Sequence, residues 1–220
     1  MHPMEPRYAL MIVDMQRYYL HVGSSYCRYF ESLRPGCLDY ILARCRDTVT
    51  PNIERLLGLF RELALPVVYL RLCGTHPERE DLHRFFKATW QEAREHGFGD
   101  VYPLQGDPAS GVIDELAPAD GDAVICKTTY SPFALAGTDA VLRARSVTGL
   151  VMTGLATSQC VETTARDASD RGYEIVHVED AQADYDETTH RASLYSSRGV
   201  CGGMVLGTDQ FIAHHKGFLA

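Results

Sequence analysis

The sequence predicts an α/β fold, a parallel sheet covered by helices on both faces. Two observations carry this. Short apolar, β-rich runs alternate with amphipathic helical segments along the whole chain, the pattern of repeated βαβ units. Three polar residues, Asp14, Lys127 and Cys160, each close or follow a different apolar run. In a parallel sheet those run ends share one edge, where open α/β sheets hold their ligands. The chain of 220 residues is long enough for one large core, and it is read as one domain, residues 1–220, with a flexible leader at 1–7. A net charge of −8 with no dense basic run excludes nucleic acid as a partner. No apolar run reaches the length of a membrane span, and MHPMEPR lacks the apolar core of a signal peptide. Seven scattered cysteines, an odd number without a framework pattern, read as reduced thiols in a cytoplasmic protein.

Taken in order, Tyr8 to Asp14 is a continuous apolar run ending in a carboxylate, a central strand buried on both faces. Asp14 is then either a helix N-cap or turn residue, or a site residue. Gln16 is assigned to bonding loop backbone. Residues 21 to 48 hold an aromatic cluster (Tyr26, Tyr29, Phe30) and a Pro35-Gly36 turn, and are expected to cover a pocket or meet another subunit. Thr50-Pro51 reads as a helix start, followed by the apolar stripe Ile53, Leu56, Leu57, Phe60 and Leu63. Pro66 to Leu72 is the second strand. Cys73, His76 and His83 lack the fourth ligand that a zinc site needs. Asp81 to His96 is expected to be helical, with Leu82, Phe85, Phe86 and Trp90 as its apolar side, and Gly97 to Gly106 to be loop. Ala123 to Cys126 is a third buried strand. Lys127 at its end either snorkels to solvent or is held by a buried partner. Thr138 to Ala144 is a short helix. Glu174 to Val178 is a fifth strand, Thr188 to Ser197 a helix, Gly202 to Leu206 a weak sixth strand, and Phe211 to Ala220 a tail.

The most informative stretch runs from Val147 to Tyr173. Ser146 to Met152 reads as a short buried strand that Thr153 and Gly154 break. From Thr157, a candidate N-cap, the period becomes helical: Val161, Thr164, Ala165 and Ala168 share one face. Glu162 with Arg166 and Asp167 with Arg171 are spaced as ion pairs on the other, and Gly172 sits where a helix ends. Cys160 therefore falls in the first helical turn. It is either a small buried hydrophobe or a reactive thiol, because a helix N-terminus lowers a thiol's pKa and offers N–H groups to an oxyanion.

Together LMIVDMQ, VICKTTYSPF and TGLATSQCVETTARDASDRGY resemble the isochorismatase-like cysteine hydrolase superfamily, in its metal-free amidohydrolase branch, from Tyr8 to Phe211. The resemblance implies a three-layer αβα fold around a six-stranded parallel sheet, in homo-oligomers, dimer or tetramer, with pockets near subunit contacts. It implies Cys160 as nucleophile, Asp14 as proton acceptor and donor, and Lys127 pairing with both. It also implies a cis peptide at Leu155-Ala156 and an oxyanion site made by the Ala156 and Cys160 N–H groups. The implied activity is cleavage of a C–N bond in a small linear amide or ureide through a thioester, releasing ammonia or an amine, with no cofactor. Superfamily nicotinamidases carry an Asp-Trp-His metal motif after the second strand, and Arg71 to His76 here does not match it. An ether hydrolase of isochorismatase type and a non-catalytic small-molecule binder are the alternatives. Tyr19, Tyr130 and Phe133 are assigned either to the walls of a small substrate pocket or to core. Arg71 is free to meet a substrate carboxylate or to bond within the fold.

Overall fold

A computed structural model describes residues 7–135, 137–201 and 203–216, with side chains through His214. The strands are β1 (Tyr8–Val13), β2 (Val67–Leu72), β3 (Ala123–Lys127), β4 (Gly149–Leu155), β5 (Glu174–Ala183) and β6 (Met204–Leu206). They form one all-parallel sheet in the order β3-β2-β1-β4-β5-β6. The chain winds outward from β1 through β2 to β3, then returns to lay β4 on the other side of β1. The crevice between β1 and β4 is thus the topological switch point.

The helices are α1 (Arg17–Leu20), α2 (Ser25–Leu33), α3 (Asp39–Arg44), α4 (Thr50–Glu62), α5 (Arg84–Glu95), α6 (Thr138–Arg143), α7 (Glu162–Asp170), α8 (Glu187–Cys201) and α9 (Thr208–Lys216). Alternation along β1 divides the core. Leu10 and Ile12 belong to one apolar layer with Ile53, Leu56, Leu57 and Phe60 of α4. Ala9, Met11 and Val13 belong to the other, with Ala165 and Ala168 of α7. No helix among the described residues is long and apolar enough to cross a membrane.

Several elements depart from the sequence expectations. Arg7, placed in the flexible leader, is fixed: its N–H donates to Thr148 Oγ1 at 2.9 Å and its Nε to the Arg145 carbonyl at 3.0 Å. The rest of that leader, residues 1–6, lies outside the described residues. Thr50-Pro51 does not start a helix. The chain is helical from Asp39, and a π-helical turn at Cys45–Val49 leads straight into α4. The hydrogen-bond register changes there, which accommodates the missing N–H of Pro51. Ala123 to Cys126 is an edge rather than a fully buried strand, and Val124 is exposed. α5 begins at Arg84, capped by His83, and this turns Phe85 outward, 54% exposed. Arg171 leaves Asp167 for Asp139 (3.5 Å) and the Phe133 carbonyl (3.3 Å), whereas Glu162 and Arg166 pair at 2.5 Å as expected. Residues 211–216 of the predicted tail belong to α9, because Phe211 has a place in the core, stacked 6.0 Å from Phe60, and residues 217–220 of that tail lie outside the described residues.

The largest departure lies beside the expected site. Thr153 and Gly154 do not end β4, which continues to Leu155. β5 likewise runs past Val178 to Ala183, with a register shift opposite Met152 to Gly154. Gln182 spans that irregularity by donating from Nε2 to the Met152 carbonyl at 2.9 Å. Gly154 adopts φ +98°, and a Cβ there would overlap the Val13 carbonyl oxygen of β1. Only glycine lets the two strand ends approach this closely. Gly154→Ala is expected to lower stability by about 2–4 kcal/mol, from the left-handed backbone and the clash together. Urea unfolding at constant m-value checks it.

Candidate active site

Asp14 follows the last residue of β1. Its backbone turns to φ +52°, a left-handed conformation that Asp tolerates better than most residues, and this swings the chain off the strand. Gln16 locks the turn: its Nε2 donates to the carbonyls of Leu72 (3.2 Å) and Ser110 (2.7 Å), and its Oε1 accepts from Leu72 N (2.8 Å). The expected structural role of Gln16 is what the geometry shows. Lys127 ends β3, two strands away from β1. Its long stem crosses the end of β2, and the ammonium does not snorkel to solvent. Cys160 lies in a π-helical turn, Thr157–Val161, that opens α7 directly after β4.

These three side chains meet. Lys127 Nζ donates to Asp14 Oδ2 at 2.8 Å, to Cys160 Sγ at 3.1 Å and to the Thr129 carbonyl at 3.2 Å. All are buried, with exposures of 1% for Asp14, 0% for Lys127 and 4% for Cys160. The second carboxylate oxygen, Asp14 Oδ1, is buried and has no hydrogen-bond partner among the described atoms. An unpartnered buried acceptor is costly, and this one belongs to the carboxylate whose other oxygen shares the Lys127 ammonium with the Cys160 thiol. The Leu155-Ala156 peptide is cis.

The electrostatics follow from burial. Burial pulls the Lys127 ammonium down, but Asp14 and then Cys160 outweigh it and hold the group above the usual lysine value. Burial pushes the Cys160 thiol up, Asp14 pushes it further, and Lys127 offsets only part. This reverses the expectation of a lowered thiol pKa. The Lys127–Asp14 pair is already neutral, so ionising the thiol as well would leave an uncompensated buried charge. Burial therefore favours the neutral thiol in the resting arrangement. Elsewhere, Cys126 on β3 is pushed down to about 7 by a hydrogen bond with Cys73, which is pushed up in return.

Phenols surround the cluster. Tyr18, Tyr19, Tyr26 and Tyr102 form contiguous ring contacts at 4.1–6.1 Å, and burial holds all four well above the ordinary phenol value. Burial, and then the nearness of Cys160, raise Tyr130. Tyr26 and Tyr185 share a hydroxyl–hydroxyl hydrogen bond of 3.0 Å. Of the three expected wall residues, Tyr19 and Tyr130 stand in this aromatic shell. Phe133 is engaged differently: its ring lies 6.0 Å from Tyr173 and under the Arg171 guanidinium at 5.1 Å. Arg71 is bound within the fold, donating to the Ser110 and Gln105 carbonyls at 2.9 Å and to Ser110 Oγ at 2.6 Å. Thr157 is not the N-cap, a position held by Ala156. Its hydroxyl instead donates to the Ala183 carbonyl at 3.0 Å. The sequence pattern missed Tyr102 and Tyr185, which lie far from the three motifs in the chain. A groove of about 390 Å³ lined by Leu20, Leu42, Cys45 and Ile113 holds none of the three central residues, so chemistry and not groove size locates the site.

The Isochorismatase domain model matches residues 8–210. The chain is 31% identical over 212 residues to the ureidoacrylate amidohydrolase RutB of Variovorax paradoxus strain S110, covering 93% of this chain and 79% of that protein. The RutB protein of Yersinia enterocolitica is 30% identical, covering 86% and 80%. Among solved structures, N-carbamoylsarcosine amidase from Thermoplasma acidophilum superposes with a TM-score of 0.66 at 28% identity, covering 92% of this chain and 97% of that one. An isochorismatase family protein from Desulfovibrio vulgaris has a TM-score of 0.76 at 24% identity, over 95% and 100%, a likeness of fold.

Proposed function

The chain belongs to the isochorismatase family, and on that premise we propose that it is a cysteine-dependent amidohydrolase acting on a small linear amide or ureide. The observation that carries this reading is the buried contact of Lys127 Nζ with both Asp14 Oδ2 and Cys160 Sγ, with Asp14 Oδ1 left unpartnered. The amidohydrolase relatives support the reaction class. In the proposed cycle Asp14 Oδ1 accepts the thiol proton as Sγ bonds to the substrate carbonyl carbon. Lys127 balances the charge that passes from carboxylate to sulfur. The carbonyl electrons move onto oxygen, and the Ala156 and Cys160 N–H groups, at the positive end of the helix, hold that oxyanion. Collapse breaks the C–N bond, and Asp14 returns the proton to the leaving nitrogen, which departs as ammonia or an amine. The remaining thioester is attacked by water, whose proton passes to Asp14 and then to the departing Sγ. The buried phenols exclude bulk water and present apolar faces with a few hydroxyls, the lining of a pocket for a small polar molecule. Release of ammonia from biuret, N-carbamoyl amino acids, ureidoacrylate, nicotinamide and maleamate tests this, with Cys160→Ala as control. Release from at least one compound, absent in the variant, is expected. Equal release by the variant, or none from any compound, counts against the reading.

A further inference from the structure

We infer that His190 is a positioning residue for the proposed cysteine chemistry, holding Thr157 and with it the turn that carries Ala156 and Cys160. The inference rests on the amidohydrolase reading. His190 lies on α8, 1% exposed, and both ring nitrogens are engaged: Nε2 is 3.1 Å from Arg44 Nη2, and Nδ1 is 2.8 Å from Thr157 Oγ1. A guanidinium nitrogen can only donate, so Nε2 accepts. The neutral ring then carries its proton on Nδ1 and donates it to Thr157 Oγ1. The Thr157 hydroxyl in turn donates to the Ala183 carbonyl at 3.0 Å. The His190 Nδ1–H points to the Thr157 hydroxyl and that hydroxyl to the Ala183 carbonyl, which fixes the Thr157 side chain. Arg44 is itself anchored, donating from Nε to the Gln182 carbonyl at 2.9 Å and from Nη2 to the Glu179 carbonyl at 3.2 Å. The line therefore runs from α3 through α8 to the end of β5. Asp184 holds the next residue, accepting from Ser158 N at 2.6 Å.

The charged groups around the ring are Arg44 from α3, Glu179 from β5 (3.7 Å from Nε2), Asp184 after β5, and Glu187 and Arg191 on α8. Burial and then Arg44 hold His190 down at about 4. Protonation would abolish the acceptor that faces Arg44, so the chain is intact through neutral pH and lost only in acid.

His190→Phe keeps the ring's bulk but neither hydrogen bond. Displacing a reacting group by about 1 Å costs on the order of 100-fold in rate. His190→Phe is therefore expected to lose roughly 30- to 100-fold in kcat with KM within about threefold. His190→Asn, whose amide can donate where Nδ1 does, is expected to recover kcat to within about fivefold of wild type. Hydrogen exchange in the peptide spanning residues 156–161 is expected to quicken in His190→Phe by more than the fall in global stability accounts for, as Tm of the same variant reports, and to return in His190→Asn. Wild-type kcat and wild-type exchange in His190→Phe would overturn the inference, as would an Asn variant no better than Phe. If wild type turns over no amide, the proposed function fails, and exchange at residues 156–161 alone decides the role of His190.

Discussion

Cys160→Ala is expected to abolish amide hydrolysis, with kcat falling by at least about 10³-fold. The reason is that the Cys160 thiol is the proposed nucleophile. Cys160 Sγ is within hydrogen-bond distance of the buried ammonium, and in the proposed cycle its proton passes to Asp14 Oδ1, which has no hydrogen-bond partner among the described residues. The fold should survive. The substitution removes one sulfur atom from a small buried site, and Lys127 keeps its bonds to Asp14 and the Thr129 carbonyl. A stability change within about 1–2 kcal/mol follows. Ammonia release and thermal unfolding of the same sample separate the two effects. An ether hydrolase that needs only the acid and the cation would keep its activity in this variant.

Lys127→Met is expected to damage both stability and turnover. It leaves the Asp14 carboxylate buried without its cation and, in the proposed cycle, removes the charge that balances proton movement between oxygen and sulfur. Breaking a buried pair from one side costs about 3–5 kcal/mol, whereas replacing both partners costs less. Asp14→Asn combined with Lys127→Met should therefore be more stable than Lys127→Met alone by about 2 kcal/mol, yet equally inactive. Urea unfolding of the two variants checks the stability order, and ammonia release checks the activity. A double variant less stable than Lys127→Met would show that the pair is not the dominant interaction of either group.

The parts of the site that could be read from sequence are those with a local signal. Asp14 and Lys127 stand out because a charge at the end of an apolar run is conspicuous, and Cys160 because the period changes around it. Parallel topology then brings all three to one edge without further information. What could not be read depends on distant partners. Thr157 looked like an N-cap because a hydroxyl at a helix start usually is one, but Ala183 and His190 bind it from 26 and 33 residues away. Arg71 could not be assigned until the loop at residues 105–110 closed over it. The π-helical turns at Cys45–Val49 and Thr157–Val161 change the hydrogen-bond spacing without changing the pattern of apolar residues, so neither was visible. The continuation of β4 through Gly154 was hidden for a related reason. Glycine is read as a breaker, while here it serves close approach to Val13.

The most direct measurement is the mass of the protein quenched in acid during turnover of an amide that it hydrolyses. The account predicts an added acyl mass located on the peptide that contains Cys160, chased to free enzyme on longer incubation and absent from Cys160→Ala. Label on any other cysteine, Cys126 included, does not count. Steady turnover with no acyl group ever found on Cys160, or undiminished turnover in Cys160→Ala, would contradict it.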